Sequence, residues 1–113
     1  MANRNYVNGR AFEYRVKADL EKKGFYVKRS YASKTVVDLL AYKHPDGLFV
    51  QCKRGTAKMS IPEWNELYTA ALEYGGRPIL AESPDKGIDY IELTGIIANN
   101  SDRERSCHKF MFG

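Results

Sequence analysis

The stretch Val36 to Gly55, VVDLLAYKHPDGLFVQCKRG, is the strongest constraint on the fold. Two apolar runs joined by HPDG read as neighbouring strands, and their near-continuous apolar character is that of strands covered on both faces. Yet Asp38 sits inside VVDLLA, and Gln51 and Lys53 interrupt LFVQCKRG. An unpaired charge in a core costs several kcal/mol. These groups therefore either satisfy one another or form a site.

The flanking sequence supplies the layers that such strands need. Phe12, Val16 and Leu20 recur every four residues, predicting a helix from about Asn8 to Lys23, with Asn8 as N-cap and Gly24 as the stop. Glu13 leans toward the apolar side of that helix. FYVKR reads as a strand with Phe25 and Val27 inward, followed by a polar loop, SYASKT. VVDLLAYK and LFVQCKR are the next two strands, joined by a turn with Pro45 at its first central position and Gly47 closing it.

SIPEWNELYTAALEYGG reads as a second helix. Ser60 and Glu63 have capping-box spacing, and Trp64, Leu67, Tyr68, Ala71 and Leu72 form its apolar stripe. RPILAES and IDYIEL read as a hairpin across SPDKG, and HKFMF as a short strand or an extended arm. This order predicts an α/β fold with a mixed central β-sheet flanked by helices.

The 113 residues suit one domain, 1–113, and 43% hydrophobic content favours folding. No run is long enough to cross a membrane and no apolar signal segment opens the chain, so the expectation is an intracellular, cytoplasmic protein with Cys52 and Cys107 reduced. The net charge of +4 is compatible with a nucleic-acid partner. The placement of the cations says more: Arg4, Arg10 and Arg15 near the start; Lys28, Arg29 and Lys34 around the polar loop; Arg54 and Lys58 after Lys53.

On a strand, Gln51 and Lys53 share a face and Cys52 points the other way. An even hairpin loop, with Lys43 against Leu48, brings Asp38 opposite Lys53 and collects the polar groups on one face. A three-residue loop reverses the parity. HPDG permits both, and the even loop is expected because it makes one site. A carboxylate, an amide oxygen and an ammonium on adjacent strands suit Mg²⁺ chemistry. Asp38, Gln51 and the Cys52 carbonyl would be ligands, Glu13 would reach the metal directly or through water, and Lys53 would orient water or offset phosphate charge. Spacing alone does not separate this site from a simple Asp38–Lys53 ion pair.

Asp38, a gap, then Gln51-Cys52-Lys53 resembles the PD-(D/E)xK nuclease signature. GRAFEYRVKADLEKKGF, VKRSYASKTVVDLLA, LFVQCKR and EYGGRPILA together resemble an archaeal-type Holliday junction resolvase, from about Gly9 to Leu93. The resemblance implies a restriction-endonuclease-like core forming a single nuclease domain. It makes Glu13 and Asp38 acidic metal-site residues, Lys53 the catalytic lysine, and Ser30 or Ser33 the family serine. It implies Mg²⁺, with Mn²⁺ as substitute, a four-way DNA junction as substrate and a homodimer, with Tyr68, Phe110, Met111 and Phe112 at its interface. No membrane or small-molecule cofactor is expected.

Where that family usually has Glu, this chain has Gln51, so the site carries one negative charge fewer. Two alternatives stay beside the resolvase: a nuclease for flaps, nicks or duplex DNA, and a non-catalytic DNA-binding protein with a weakened metal site. Arg4, Arg10, Lys28, Arg29, Ser33, Lys34, Arg54 and Lys58 are the expected DNA contacts.

Overall fold

The expected apolar stripe of the first helix is buried: Phe12, Val16 and Leu20 are almost fully covered. The computed structural model describes residues 4–30 and 35–112, with side chains from Arg10 onward. Helix α1 (Arg4–Lys22) starts earlier than expected. Asn8 therefore lies inside the helix rather than capping it. Gly24, at φ +96°, turns the chain out of the helix, a conformation available to a residue without Cβ.

Six strands follow: β1 (Tyr26–Arg29), β2 (Leu39–Lys43), β3 (Asp46–Arg54), β4 (Arg77–Ser83), β5 (Asp89–Leu93) and β6 (Cys107–Lys109). They lie in sequence order in one sheet. The pairings are antiparallel except β3–β4, which is parallel. That pair is bridged by helix α2 (Ile61–Glu73), as a parallel connection requires. The expected α/β fold, a mixed sheet flanked by helices, is therefore the observed one. The tail, expected as a short strand or an extended arm, supplies the sixth strand.

The two helices cover opposite faces. α1 packs with Val27, Leu39, Ala41, Leu48, Val50, Ile79 and Ala81. α2 packs through Trp64 and Leu67 with Met59, Leu80, Leu93 and Ile97. Its start is the expected capping box: Glu63 N–H donates to Ser60 Oγ at 3.2 Å, and Ser60 N–H donates to Glu63 Oε1 at 2.9 Å. Leu72, expected in the buried stripe, is 65% exposed. The stripe ends with Ala71 because the helix stops at Glu73, leaving no further turn to cover the sheet.

The β2–β3 turn corrects the expected register. Lys43 pairs with Asp46 rather than Leu48, so His44 and Pro45 alone form the loop. Pro45 is then the second central residue, with a cis peptide before it. Gly47 lies within β3 opposite Tyr42. The even parity holds, but this register would set Asp38 against Gln51 rather than Lys53, and the ladder ends just before it, at Leu39–Val50. Asp38 instead sits just beyond β2, where the two strands part.

Candidate active site

Asp38 is fixed at this fork by three hydrogen bonds. Its N–H donates to the Val50 carbonyl at 2.8 Å, and its own carbonyl accepts from Ser30 N–H at 2.9 Å. Its carboxylate Oδ2 accepts from Cys52 N–H at 2.8 Å, taking the place of a ladder partner. A strand residue directs its N–H and C=O to the same edge. The Cys52 carbonyl thus faces the same opening as Asp38.

Residues from both faces converge there. Val50 and Cys52 pack on the α1 side and Phe49 on the α2 side. By alternation, Gln51 and Lys53 belong to the α2 side. Asp38 lies in the plane between, so the expectation that all three share one face is corrected. The cause is the early end of β2, which releases Asp38 from the alternation that would have set its direction.

The electrostatics match a cluster short of positive charge. Burial, with Glu13 and Glu63 nearby, pushes the Asp38 carboxyl up to about 6 against the pull of Cys52 N–H and Lys53. Burial, with Asp38 and Glu13 nearby, pushes the Cys52 thiol well above its usual range. Its sulfur is a neutral group packed against the core. Gln51 is 7% exposed. Among the described residues its Oε1 is the buried side-chain polar atom with no hydrogen-bond partner.

Lys53 does not form the alternative ion pair with Asp38. Its Nζ donates to Glu63 Oε2 at 3.2 Å. Burial raises the Glu63 carboxyl, but Ser60 N–H and Lys53 together hold it below its ordinary value. Glu63 was legible in the sequence as a helix cap. Its second contact depends on how the α2 start is placed against β3, which no local pattern records.

Glu13 is also engaged. Arg29 Nε and Nη2 both donate to its Oε1, at 3.3 and 3.0 Å. The Arg29 guanidinium lies 4.7 Å from the centre of the Tyr14 ring, and that of Arg10 at 6.0 Å. Ser30 Oγ is 3.3 Å from Thr35 Oγ1.

Of the expected DNA contacts, Arg29 pairs with Glu13 and Arg10 stands over the Tyr14 ring. Lys28 is next in line to Arg29 but lies on the other face, lining a groove with Tyr26, Leu40 and Tyr42. Strand alternation separates what sequence adjacency grouped. Arg54, the last residue of β3, and Lys58 beyond it are exposed. Ser33, Lys34 and the Arg4 side chain lie outside the described residues.

No cluster of three His, Cys, Asp or Glu side chains could hold a metal among the described residues. The donors around the fork nevertheless fit a hard divalent cation, which takes one or two carboxylates and keeps waters. A buried carboxylate disfavoured as an anion and an unpartnered buried amide oxygen are both relieved by a cation. Asp38, Gln51 Oε1 and the Cys52 carbonyl would hold it, with Glu13 in reserve behind Arg29.

A mixed sheet between two helices, with an acid at a fork and a lysine on the next strand, is the architecture of restriction-endonuclease-like nucleases; the amide of Gln51 is this chain's departure from it. The chain belongs to the restriction endonuclease family Mrr_cat, which matches residues 5–81. Among solved structures it is similar to the Holliday junction resolvase Hjc of the archaeal hyperthermophile Archaeoglobus fulgidus. The identity is 24% and the TM-score 0.63, over 71% of this chain and 72% of that one. No curated protein matches the chain. Among the described residues, no helix is long and apolar enough to cross a membrane.

Proposed function

We propose that this protein is a divalent-metal-dependent endonuclease that resolves four-way DNA junctions by paired phosphodiester hydrolysis. The observation that carries the catalytic half is the fork. There Asp38, its carboxyl raised to about 6 by burial, reaches the backbone of Cys52, whose two strand neighbours are Gln51, with its Oε1 unpartnered, and Lys53. Family membership supports nuclease chemistry, and the likeness in fold to a junction resolvase supports the substrate.

Mg²⁺, or Mn²⁺ in its place, would supply Lewis-acid polarisation of the scissile phosphate and lower the pKa of a bound water. The chain's own residues do the rest. Asp38 anchors the charge and Gln51 completes its buried side. The Lys53 ammonium offsets charge that develops on the phosphate or orients the attacking water. Ser30 holds the scissile phosphate from the loop side. Arg10, Arg29, Ser33, Lys34, Arg54 and Lys58, with Arg4, contact the DNA backbone, so that shape rather than base identity selects the substrate.

A four-way junction has two-fold symmetry and needs two matched cuts, which supports a homodimer with one site per subunit. The single nuclease domain spans residues 1–113 in this reading. The test uses purified protein with a labelled immobile junction and a matched linear duplex, each with and without Mg²⁺. Metal-dependent paired cuts confined to the junction are expected. The family match itself favours a second reading, a nuclease for duplex DNA. Equal cutting of both substrates would establish that reading, and junction binding without cutting in either metal would leave a non-catalytic DNA-binding protein.

A further inference from the structure

The capping acid of α2 faces two ways. One oxygen of Glu63 accepts the Ser60 backbone N–H at 2.9 Å, and the other accepts the Lys53 ammonium at 3.2 Å. The return bond from Glu63 N–H to Ser60 Oγ closes the box. A lysine side chain has four rotatable carbons and loses up to about 2 kcal/mol of rotamer entropy when fixed. Its ammonium is therefore poorly placed for chemistry unless something holds it. Here the holder is anchored to the first turn of a helix that Trp64 and Leu67 pin to the sheet.

We propose that Glu63 is a positioning residue for Lys53, coupling the start of α2 to the reacting centre. The proposal rests on the nuclease reading in one respect: Lys53 must act in cleavage. Its physical basis is geometry rather than stability. The Lys53 and Glu63 side chains are 20% and 37% exposed. A bridge this open adds about 1 kcal/mol or less to folding. What it adds is direction. Sequence separates the pair by ten positions, but the parallel crossover from β3 through α2 sets the helix start beside the strand end.

Two variants separate tether from cap. In Glu63→Gln, the amide oxygen can still accept Ser60 N–H, but the amide NH₂ then faces the ammonium, donor against donor. In Ser60→Ala, the Oγ acceptor of the cap is lost while both Glu63 oxygens stay. The single-turnover cleavage rate is measured at saturating DNA and metal, with DNA affinity and Tm alongside. Glu63→Gln is expected to slow cleavage at least 10-fold with DNA affinity and Tm near wild type. Ser60→Ala is expected to lower Tm with the rate within about 2-fold of wild type. Glu63→Asp, which keeps the charge on a shorter arm, is expected to recover part of the rate.

A Glu63→Gln rate equal to wild type overturns the proposal. So does an equal loss in Ser60→Ala, which would assign the effect to helix integrity. A second readout needs no catalysis: the ammonium ¹H–¹⁵N NMR signal of Lys53. It is expected to be ordered in the wild type and averaged in Glu63→Gln. If the wild-type protein cleaves no DNA, the nuclease reading fails. The NMR signal then still decides the tether, and an ammonium equally mobile in both proteins overturns it.

Discussion

Asp38 is a carboxylate held where its charge is disfavoured, and the consequence can be measured as stability. Its carboxyl titrates near 6 in the fold against an ordinary 3.8. The folded state thus binds this proton more tightly than the unfolded state. Stability from this group is fully present below about pH 4 and is lost as pH rises through about 6. A shift of about two units corresponds to about 3 kcal/mol as an upper bound. Asp38→Asn removes the charge but keeps an oxygen for Cys52 N–H. It is expected to abolish cleavage and leave DNA binding intact. It should also raise the metal-free Tm at pH 7.5, with little gain at pH 4. Equal gains at both pH values would show that burial does not strain this carboxylate.

Gln51→Glu tests the same site from the other side. It puts a second acid into a position that is 7% exposed. The metal-free protein is expected to lose stability, and Mn²⁺ to restore more than it does in the wild type. Half-maximal cleavage should need less Mg²⁺. An unchanged metal requirement would remove Gln51 from the ligand set.

At the scale of the elements, the end of β1 carries two competing tasks. Arg29 is expected to meet a DNA phosphate, yet in the free protein it binds Glu13 at 3.0 Å and stacks on Tyr14. The Glu13 contact is the first cause of the raised Arg29 pKa. Arg29→Ala should therefore change two things. Junction affinity should fall, with the slope of log affinity against log salt reduced by roughly 0.9. Mn²⁺ affinity without DNA should rise, because Glu13 loses its competing cation. Titrations across salt and calorimetry without DNA check each part. No change in either would make Arg29 a structural partner of α1. In the loop that follows, Ser30→Ala should slow cleavage more than it weakens binding. Ser33→Ala and Lys34→Ala test the positions outside the described residues.

For the whole molecule, the expected dimer contacts need revision. Phe110 is 4% exposed. It packs edge-on to Phe112, which meets Tyr90 in the same way. Strand β6 draws this tail onto the sheet, with Phe110 N–H bonded to the Tyr90 carbonyl at 2.8 Å. Phe110 is thus core, Phe112 and Tyr68 are half-buried, and Met111 alone of the four is exposed. The larger apolar surface is a groove of about 400 Å³ over β1, β2 and β3, with Tyr26, Leu40 and Tyr42 exposed along it. Contiguous apolar surface of this kind commonly marks an interface. Leu40→Lys is expected to give a monomer by light scattering and to uncouple the two cuts on a junction. A dimer of unchanged mass would place the interface elsewhere.

How far the sequence reached depends on the range of the force involved. Periodicity in α1 and α2 reports burial of one face, which is local, so both helices, their stripes apart from Leu72, and the Ser60–Glu63 box were legible. So were Phe25 and Val27, the mixed sheet, and Asp38, Gln51 and Lys53 as a group, since apolar strands tolerate such residues only for a reason. The Asn8 cap failed because nothing local forbids the helix from starting a turn earlier. The partners of the polar groups were not legible. Asp38 meets Cys52 N–H because β2 ends one residue short, Lys53 meets Glu63 because a helix start lands beside a strand end, and Glu13 meets Arg29 across α1 and β1. Each pairing depends on where separate elements stop relative to one another. Packing of the two cores against the sheet decides that, and no spacing along the chain encodes it.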